Sequence, residues 1–190
     1  MIRAAMMLIF SLLLSACASP KPDNTQPTAW LKPGVKIMLP PPGITPAFQQ
    51  QQLLTGQIKG TRQSLLVLLS ADAQKIELAG LSSMGIRLFR VSYDARGIHT
   101  QQLMPLPNMP PASQVLADIM LSHWPIAVWQ KQLPRGWTLQ DKGLKRVLRD
   151  ADNQVVTEIT YLQRGERREP ITLQQHAFGY LIQIQHLDAS

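Results

Sequence analysis

The side chains best able to do chemistry are one cysteine and four histidines. Cys17 is the only cysteine, and His99, His123, His176 and His186 are scattered without the spacing of metal ligands. The segment "GLSSMG" lacks the Gly-x-Ser-x-Gly pattern of a nucleophile elbow, no glycine-rich phosphate loop precedes a helix, and carboxylates are few. We therefore expect neither an enzyme nor a metal or cofactor, and we interpret the histidines as ordinary strand or helix residues.

The N-terminus has the three parts of a secretory signal peptide. Arg3 precedes an apolar run from Ala4 to Leu14, and the small residues Ser15 and Ala16 come just before Cys17. The run is too short for a transmembrane helix, which needs about 20 apolar residues. An ordinary signal peptide with an incidental cysteine is the alternative, although an unpaired thiol would be unusual in an exported protein.

"LSAC" resembles the lipobox of bacterial lipoproteins, in which the cysteine becomes the lipid-modified first residue of the mature protein. The resemblance implies signal peptide 1–16 and a lipid anchor at Cys17, since two or more acyl chains hold a protein stably on a membrane. Ala18 and Ser19 follow the cysteine in place of the aspartate typical of inner-membrane retention. This pattern implies the periplasmic face of the outer membrane.

The mature chain would be basic. Removing residues 1–16 takes away Arg3 and no acid, which leaves 18 Lys+Arg against 12 Asp+Glu, a formal charge of +6. Partners of such an exported protein include anionic lipid and acidic proteins, and no aromatic interleaving suggests nucleic acid. Acids are interleaved in both basic clusters, so a solvated strand face is the simpler interpretation. The clusters are Lys142, Lys145, Arg146 and Arg149, and then Arg164, Arg167 and Arg168.

Proline dominates the segment after the cysteine. Eight of the 15 prolines lie between Pro20 and Pro46, which excludes a helix or a central strand there. We predict a lipidated, extended tether over 17–47, on which Trp30 and Ile37 are apolar enough to dock on the domain. Residues 48–190 are enough for one domain with one core.

Short strands separated by turn formers follow one another along this domain. "LLTGQIKG", "SLLVLLSA", "QKIELAGL", "GIRLFRVSYD" and "IHTQQLM" predict an antiparallel meander, and "WTLQD", "LKRVLRD", "QVVTEITYLQ", "ITLQQ" and "YLIQIQHL" predict a second set. The apolar phase slips in "GIRLFRVSY", which predicts a bulge near Leu88. "SLLVLLS" is apolar on both faces, so we expect both faces to be covered.

Two short helices are predicted between the two sets of strands. Residues 112–123 place apolar side chains at helical spacing, and after Pro125 a second stripe includes Ile126 and Trp129. We predict a mainly β, α+β fold, in which a curved antiparallel sheet forms an incomplete barrel covered by short helices. Its interior is either filled by side chains or left as an apolar cavity for a hydrocarbon chain.

Three segments resemble the outer-membrane lipoprotein receptor LolB and its soluble partner LolA. They are "IELAGLSSMGIRLFRV", "HWPIAVWQKQLPRG" and "TEITYLQRGERREPITLQ", within a similarity from Leu53 to Leu187. The chain is also similar to LolB-like lipoproteins of aryl polyene biosynthesis clusters. These resemblances imply an incomplete barrel around a hydrophobic cavity and a periplasmic LolA-like carrier as partner.

The resemblance also implies a role for the loop "LSSMGI". An exposed apolar residue on this loop of LolB helps to move cargo into the membrane, and Met84 occupies the matching position. Ser83 stands where that family has a proline. The alternative is that Met84 or Leu81 folds back onto the core.

We therefore predict an outer-membrane lipoprotein that binds an acyl, lipoprotein or aryl polyene cargo in an apolar cavity and assists its transfer. A structural or scaffolding lipoprotein with a filled core is the alternative, and a hydrolase of envelope lipids would need a nucleophile that the sequence does not display. Strand alternation and helical spacing give the candidate ligand-binding residues, to which Met84 is added. They are Val67, Leu69, Ile76, Leu78, Met84, Ile119, Trp129, Ile159, Tyr161, Ile182 and Ile184.

Overall fold

A computed structural model describes residues 27–104 and 110–187. The chain is mainly β, and a ten-stranded antiparallel sheet carries the fold. A separate two-stranded hairpin precedes it. The strands are β1 (Thr28–Lys32), β2 (Val35–Met38), β3 (Phe48–Ile58), β4 (Thr61–Ala71), β5 (Ile76–Leu81), β6 (Arg87–Asp94), β7 (Gly97–Gln102), β8 (Thr138–Lys142), β9 (Lys145–Arg149), β10 (Val155–Arg164), β11 (Arg167–Gln175) and β12 (Tyr180–His186).

The sheet consists of two meanders, and the first strand of one pairs with the last strand of the other at the centre of the sheet. Its strand order is β7-β6-β5-β4-β3-β12-β11-β10-β9-β8, so the pairing of β3 with β12 joins the two meanders. The sheet curves without closing, and β7 and β8 remain as its edges. The predicted incomplete antiparallel barrel is confirmed.

Two helices lie between the edges. Helix α1 (Ala112–His123) contacts β7, β11 and β1, and helix α2 (Ile126–Gln130) contacts β8. Pro111 and Pro125 precede the two helices, where a missing amide hydrogen costs no helical bond. The predicted helical insert is confirmed and covers the gap between the two edges. Among the described helices, none is long and apolar enough to cross a membrane.

One irregularity in the sheet follows the apolar pattern of the sequence. Gly80 pairs with Phe89, whereas its neighbour Leu81 pairs with Arg87, so Leu88 is an extra residue in β6. The bulge predicted near Leu88 is confirmed. The bulge returns Phe89, Val91 and Tyr93 to the buried face.

The structure differs from the predicted tether in its described part. β1 and β2 form a hairpin whose Ala29, Leu31 and Ile37 are buried in the core. The chain that follows is held to the barrel, because Tyr93 Oη donates to Pro40 O at 3.0 Å and Trp124 Nε1 donates to Pro41 O at 3.1 Å. Alternating apolar residues therefore form a hairpin between the prolines, and residues 17–26 of the predicted tether lie outside the described ranges.

The outer face of β4 is a second difference. Leu68 is 39% exposed, so the expectation that both faces of "SLLVLLS" are covered is wrong for this face. The inner face is covered, and Val67 and Leu69 are buried.

Candidate functional site

Most of the predicted ligand-binding residues belong to a filled part of the interior. Seven of them expose 5% or less of their surface, so protein atoms cover them and leave no open wall there. They are Val67, Leu69, Ile76, Leu78, Trp129, Ile159 and Tyr161. In this region the filled core of our alternative interpretation describes the structure.

The other four predicted residues are less buried. Ile119, Ile182 and Ile184 keep intermediate exposure, and Met84 in the β5–β6 loop is 79% exposed. Met84 therefore does not fold back onto the core, and Leu81 is half-buried. The predicted anchor, Cys17, lies outside the described residues.

Two contacts join the second half of α1 to the inner face of the sheet. At mid-helix, Asp118 Oδ2 accepts a hydrogen bond from Tyr180 Oη at 2.5 Å, and Tyr180 is paired with Ile58 at the end of β3. At its last residue, His123 stacks on Phe48 at the start of β3, with ring centroids 4.9 Å apart. The second half of the helix therefore contacts both β12 and β3 through side chains.

One row of α1 faces β3. Val115 and Ile119 precede His123 at intervals of four residues, which places all three on the same side of the helix. Because His123 contacts β3 through Phe48, this side of the helix is directed toward β3. Both nevertheless remain half-buried, so the sheet does not fully cover them.

Apolar residues on the facing strands are incompletely covered in the same way. Leu54 pairs with Leu65 on one side and with Ile184 on the other, and all three are half-buried. Two residues further along β3, a Cβ built on Gly56 would meet nothing within 4 Å. Gly80 is the opposite case, because a Cβ there would lie 2.1 Å from the Phe89 ring.

We call the space over Gly56 the groove. Its sheet wall is formed by half-buried residues of β3, β4 and β12, and its helix wall is the Val115–Ile119 side of α1. The wall residues are Leu54, Ile58, Leu65, Ile182, Ile184, Val115 and Ile119. Ile119, Ile182 and Ile184 were predicted from the sequence, whereas the others were missed.

A buried polar cluster lies at the end of the groove nearest Tyr180. Asp118 accepts from Tyr180 Oη and, at 3.3 Å, from Gln114 Nε2. Burial raises the pKa of Asp118 to about 7 against these hydrogen bonds, and burial together with the neighbouring carboxyl raises the pKa of Tyr180. The carboxyl is thus held by two neutral donors with no cation beside it in the described contacts.

Arg146 ties the end of α1 to the second meander. Its Nη1 donates to the carbonyl oxygens of Leu121 and Trp124 at 2.9 and 2.7 Å, and its Nε and Nη2 donate to Asp141 at 2.9 and 3.0 Å. The Arg146 guanidinium holds the pKa of Asp141 below its usual range. Arg146 is only 8% exposed, so the interpretation as a solvated strand face is wrong for this residue.

A separate pocket of about 480 Å³ lies on the outer face of the sheet. Leu68, Ala79, Glu77 and Arg90 contribute to it, and Arg90 Nη2 donates to Glu77 Oε1 at 2.6 Å. Of the predicted ligand-binding residues it touches Leu69 and Leu78, whose side chains are buried on the other face. Within 27–104 and 110–187, no group of three or more His, Cys, Asp or Glu side chains could hold a metal ion.

The geometry defines a half-open β-barrel with an apolar groove between its central strands and a covering helix. Over residues 49–188 the chain matches the model of a protein family of unknown function, DUF3261, and it belongs to that family. No curated protein matches the chain.

Proposed function

We propose that this protein is an envelope lipoprotein that holds a hydrophobic cargo in the groove and assists its transfer to the outer membrane. The observation that carries the proposal is the open space over Gly56. Leu54, Ile58 and Ile182 border it from the inner face and remain half-exposed, and the exposed Gln63 borders it on β4. Incompletely covered apolar surface in a concavity favours binding of hydrocarbon. The groove thus provides a place for cargo that the filled part of the core does not.

An exposed apolar rim supports transfer into a membrane. Met84 and Ile86 in the β5–β6 loop are 79% and 53% exposed, and Leu103 and Met104 after β7 are 51% and 49% exposed. The amides of Leu103 and Met104 both donate to Leu88 O, at 2.8 and 3.3 Å, which holds the two segments together. The loop lies at the same end of the sheet as the β3–β4 turn, where the groove opens beside Ile58. A clustered apolar surface of this kind is typical of a site that meets lipid or protein.

The remaining parts of the proposal rest on the sequence. Lipidation of Cys17 would place the chain on the periplasmic face of the outer membrane, and a LolA-like carrier would deliver the cargo. The cargo is an acyl chain, a lipoprotein or an aryl polyene lipid. We propose no enzymatic activity and no cofactor, because transfer between two apolar sites requires only a difference in affinity.

A scaffolding lipoprotein is the second candidate. The seven buried residues of the predicted lining favour it, because most of the interior is filled by the protein's own side chains. In that case the groove would be a packing defect without an occupant.

Filling the groove distinguishes the two candidates. Gly56→Leu places a side chain in the vacancy, whereas Gln57→Leu places the same side chain on the exposed outer face one residue away. In the full chain, we expect Gly56→Leu to reduce co-purifying or added fatty acid, measured by native mass spectrometry, at least tenfold. Gln57→Leu should bind as the unchanged chain does.

Circular dichroism of both variants checks that they are folded. Undiminished fatty acid in the folded Gly56→Leu chain would overturn the groove as the cargo site. Absence of bound fatty acid from the unchanged chain would overturn transfer and favour the scaffold.

A further inference from the structure

The inner end of the groove is polar. Along the inner face, Gln52 is the next residue after Leu54, and His186 is the next after Ile184. Gln52 and His186 are directly paired between β3 and β12. His123 continues the Val115–Ile119 row by one helical turn. β3, β12 and α1 therefore each carry a polar residue beyond the apolar part of the groove, whereas β4 continues with the buried Val67 opposite Gln52.

We call Gln52, His186 and His123 the polar layer. Gln52 is 4% exposed, and a glutamine is seldom buried without hydrogen-bond partners. Its Nε2 donates to Gln50 Oε1 at 2.7 Å, and His186 Nε2 lies 2.9 Å from Pro170 O. These contacts leave the amide oxygen of Gln52 and the second ring nitrogen of His186 as further hydrogen-bonding atoms.

Gln52 and His123 add hydrogen-bonding groups to the layer without adding positive charge. Desolvation lowers the pKa of His123 to about 4, with smaller contributions from His186 and Arg146, so its imidazole is neutral at physiological pH. Arg146 is already engaged by Asp141 and two carbonyl oxygens. A compact head group with at most one negative charge suits such a layer better than a phosphate with two negative charges.

The apolar part of the groove has the length of one hydrocarbon chain. Leu54 and Ile58 are four residues apart on β3, about 13 Å at the usual strand rise of ~3.3 Å per residue. One leaflet of a bilayer provides about 15 Å of its ~30 Å hydrocarbon core. The width is set by single side chains, because the vacancy is centred on one glycine.

From these observations we propose that the groove selects a single-chain amphiphile with a carboxyl or hydroxyl head, bound head inward against the polar layer. The hydrocarbon chain passes Leu54, Ile184 and Ile119 toward the open end beside Ile58. The polar groups at the other end, Asp118, Tyr180 and Gln114, already bond one another. The reverse orientation would instead place the methyl end against an amide and two imidazoles and leave their hydrogen bonds unmade. This inference rests on the proposed function and adds the class and the direction of the cargo.

Photolabelling tests the direction. The full chain in phosphatidylcholine vesicles is exposed to two photoreactive fatty acids, one with its diazirine beside the carboxyl group and one near the methyl end. We expect the first probe to label peptides containing Gln52, His123 or His186, and the second to label peptides around Ile58. Peptide mass spectrometry reads out both patterns.

The outcomes separate this inference from the proposed function. A reversed pattern, or the same pattern from both probes, overturns head-inward binding while leaving the groove as a binding site. Labelling confined to surfaces outside the groove overturns both.

A pair of neighbouring glutamines tests head-group selection. Gln52→Leu removes the buried amide, whereas Gln51→Leu alters an exposed amide on the outer face. We expect Gln52→Leu to lower the preference for a fatty acid over the alkane of equal length about tenfold, which corresponds to about 1.4 kcal/mol. Gln51→Leu should keep the preference. An unchanged preference in the folded Gln52→Leu chain overturns the role of the polar layer, and if this variant does not fold, the photolabelling result decides.

Discussion

Replacing Asp118 by asparagine is expected to change how the free energy of unfolding depends on pH. Asp118 is 5% exposed and receives hydrogen bonds from Tyr180 and Gln114. Its pKa is raised to about 7 from an ordinary value of 3.8, chiefly by burial. Asparagine keeps an oxygen that can accept from Tyr180 but has no proton to lose.

The sign of this pH dependence follows from which state, folded or unfolded, binds the proton. Between pH 4 and pH 7 the carboxyl is protonated in the folded protein and ionised in the unfolded chain, so each increase in pH favours unfolding. The stability that protonation provides is complete below pH 4 and is lost as the pH rises to about 7. A shift of this size corresponds to about 4 kcal/mol, at 1.36 kcal/mol per pKa unit.

The pH dependence of stability must be compared between the variant and the unchanged chain, because His123 changes the free energy of unfolding with pH in the opposite direction. Its pKa is lowered from 6.5 to about 4, so its contribution to stability increases as the pH rises through this range. In the unchanged chain the two effects largely offset one another from pH 4 to 6.5. The difference between Asp118→Asn and the unchanged chain isolates the carboxyl.

Urea unfolding from pH 4 to pH 8 measures this difference. With a denaturant slope of about 2 kcal/mol/M, the midpoint of Asp118→Asn should rise relative to the unchanged chain by roughly 0.7 M for each pH unit up to 7. Above pH 7 the difference should become constant. Parallel midpoint curves across the whole range would refute the raised pKa.

Four further predictions concern packing, the helix anchor and membrane attachment. Gly80→Ala should lower the free energy of unfolding by about 1–3 kcal/mol, because its Cβ meets a phenyl ring, whereas Gly56→Ala should be neutral or slightly stabilising. Arg146→Met should lower it by about 2–4 kcal/mol, because two buried carbonyl groups lose their donor. Labelled palmitate should be incorporated into the chain, and Cys17→Ser should abolish this incorporation. Met84→Glu should reduce delivery of cargo to the outer membrane, since a charge would be placed on an apolar rim.

Each of these predictions has a control. Equal thermal midpoints for Gly80→Ala and Gly56→Ala would contradict the packing contrast. Lys145→Met removes an exposed ion pair with Glu158 and should change stability by less than about 1 kcal/mol. An equally small loss for Arg146→Met would refute the role of Arg146 in holding the end of α1. Palmitate retained by Cys17→Ser would place the lipid elsewhere, and unchanged delivery by Met84→Glu would exclude the rim from transfer.

Local pattern was sufficient to predict much of the fold. The phase slip in β6 indicated the bulge at Leu88, because only an extra residue returns alternate apolar side chains to one face. The spacing of apolar residues likewise predicted the helix at 112–123 with its observed bounds. These features depend on neighbours within one or two strands or turns.

The extent to which each inner-face residue is buried could not be predicted from local pattern. Alternation places Val67 and Leu54 alike on the inner face, but one is buried and the other half-buried, because exposure depends on which helix or hairpin lies above. The signal that was missed is Gly56, a glycine on the inner face between Leu54 and Ile58. A glycine inside a strand often marks such a space or a close approach.

The hairpin at 28–38 was missed for a related reason. Its prolines indicated an extended segment, whereas Ala29, Leu31 and Ile37 obtain their burial from the barrel. A two-stranded ribbon alone is marginal in water, so its stability comes from contacts remote in the sequence.

The strand order also has a consequence for how the chain folds as it is made. The first strand of the barrel pairs with its last, and Leu54 meets Ile184 across about 130 intervening residues. Closing such a loop costs roughly 4 kcal/mol of chain entropy, and no contact within the first meander can offset it. In a nascent chain that lacks its final strand, no strand pairing therefore joins the two meanders. The domain becomes a single cooperative unit only when synthesis is almost complete.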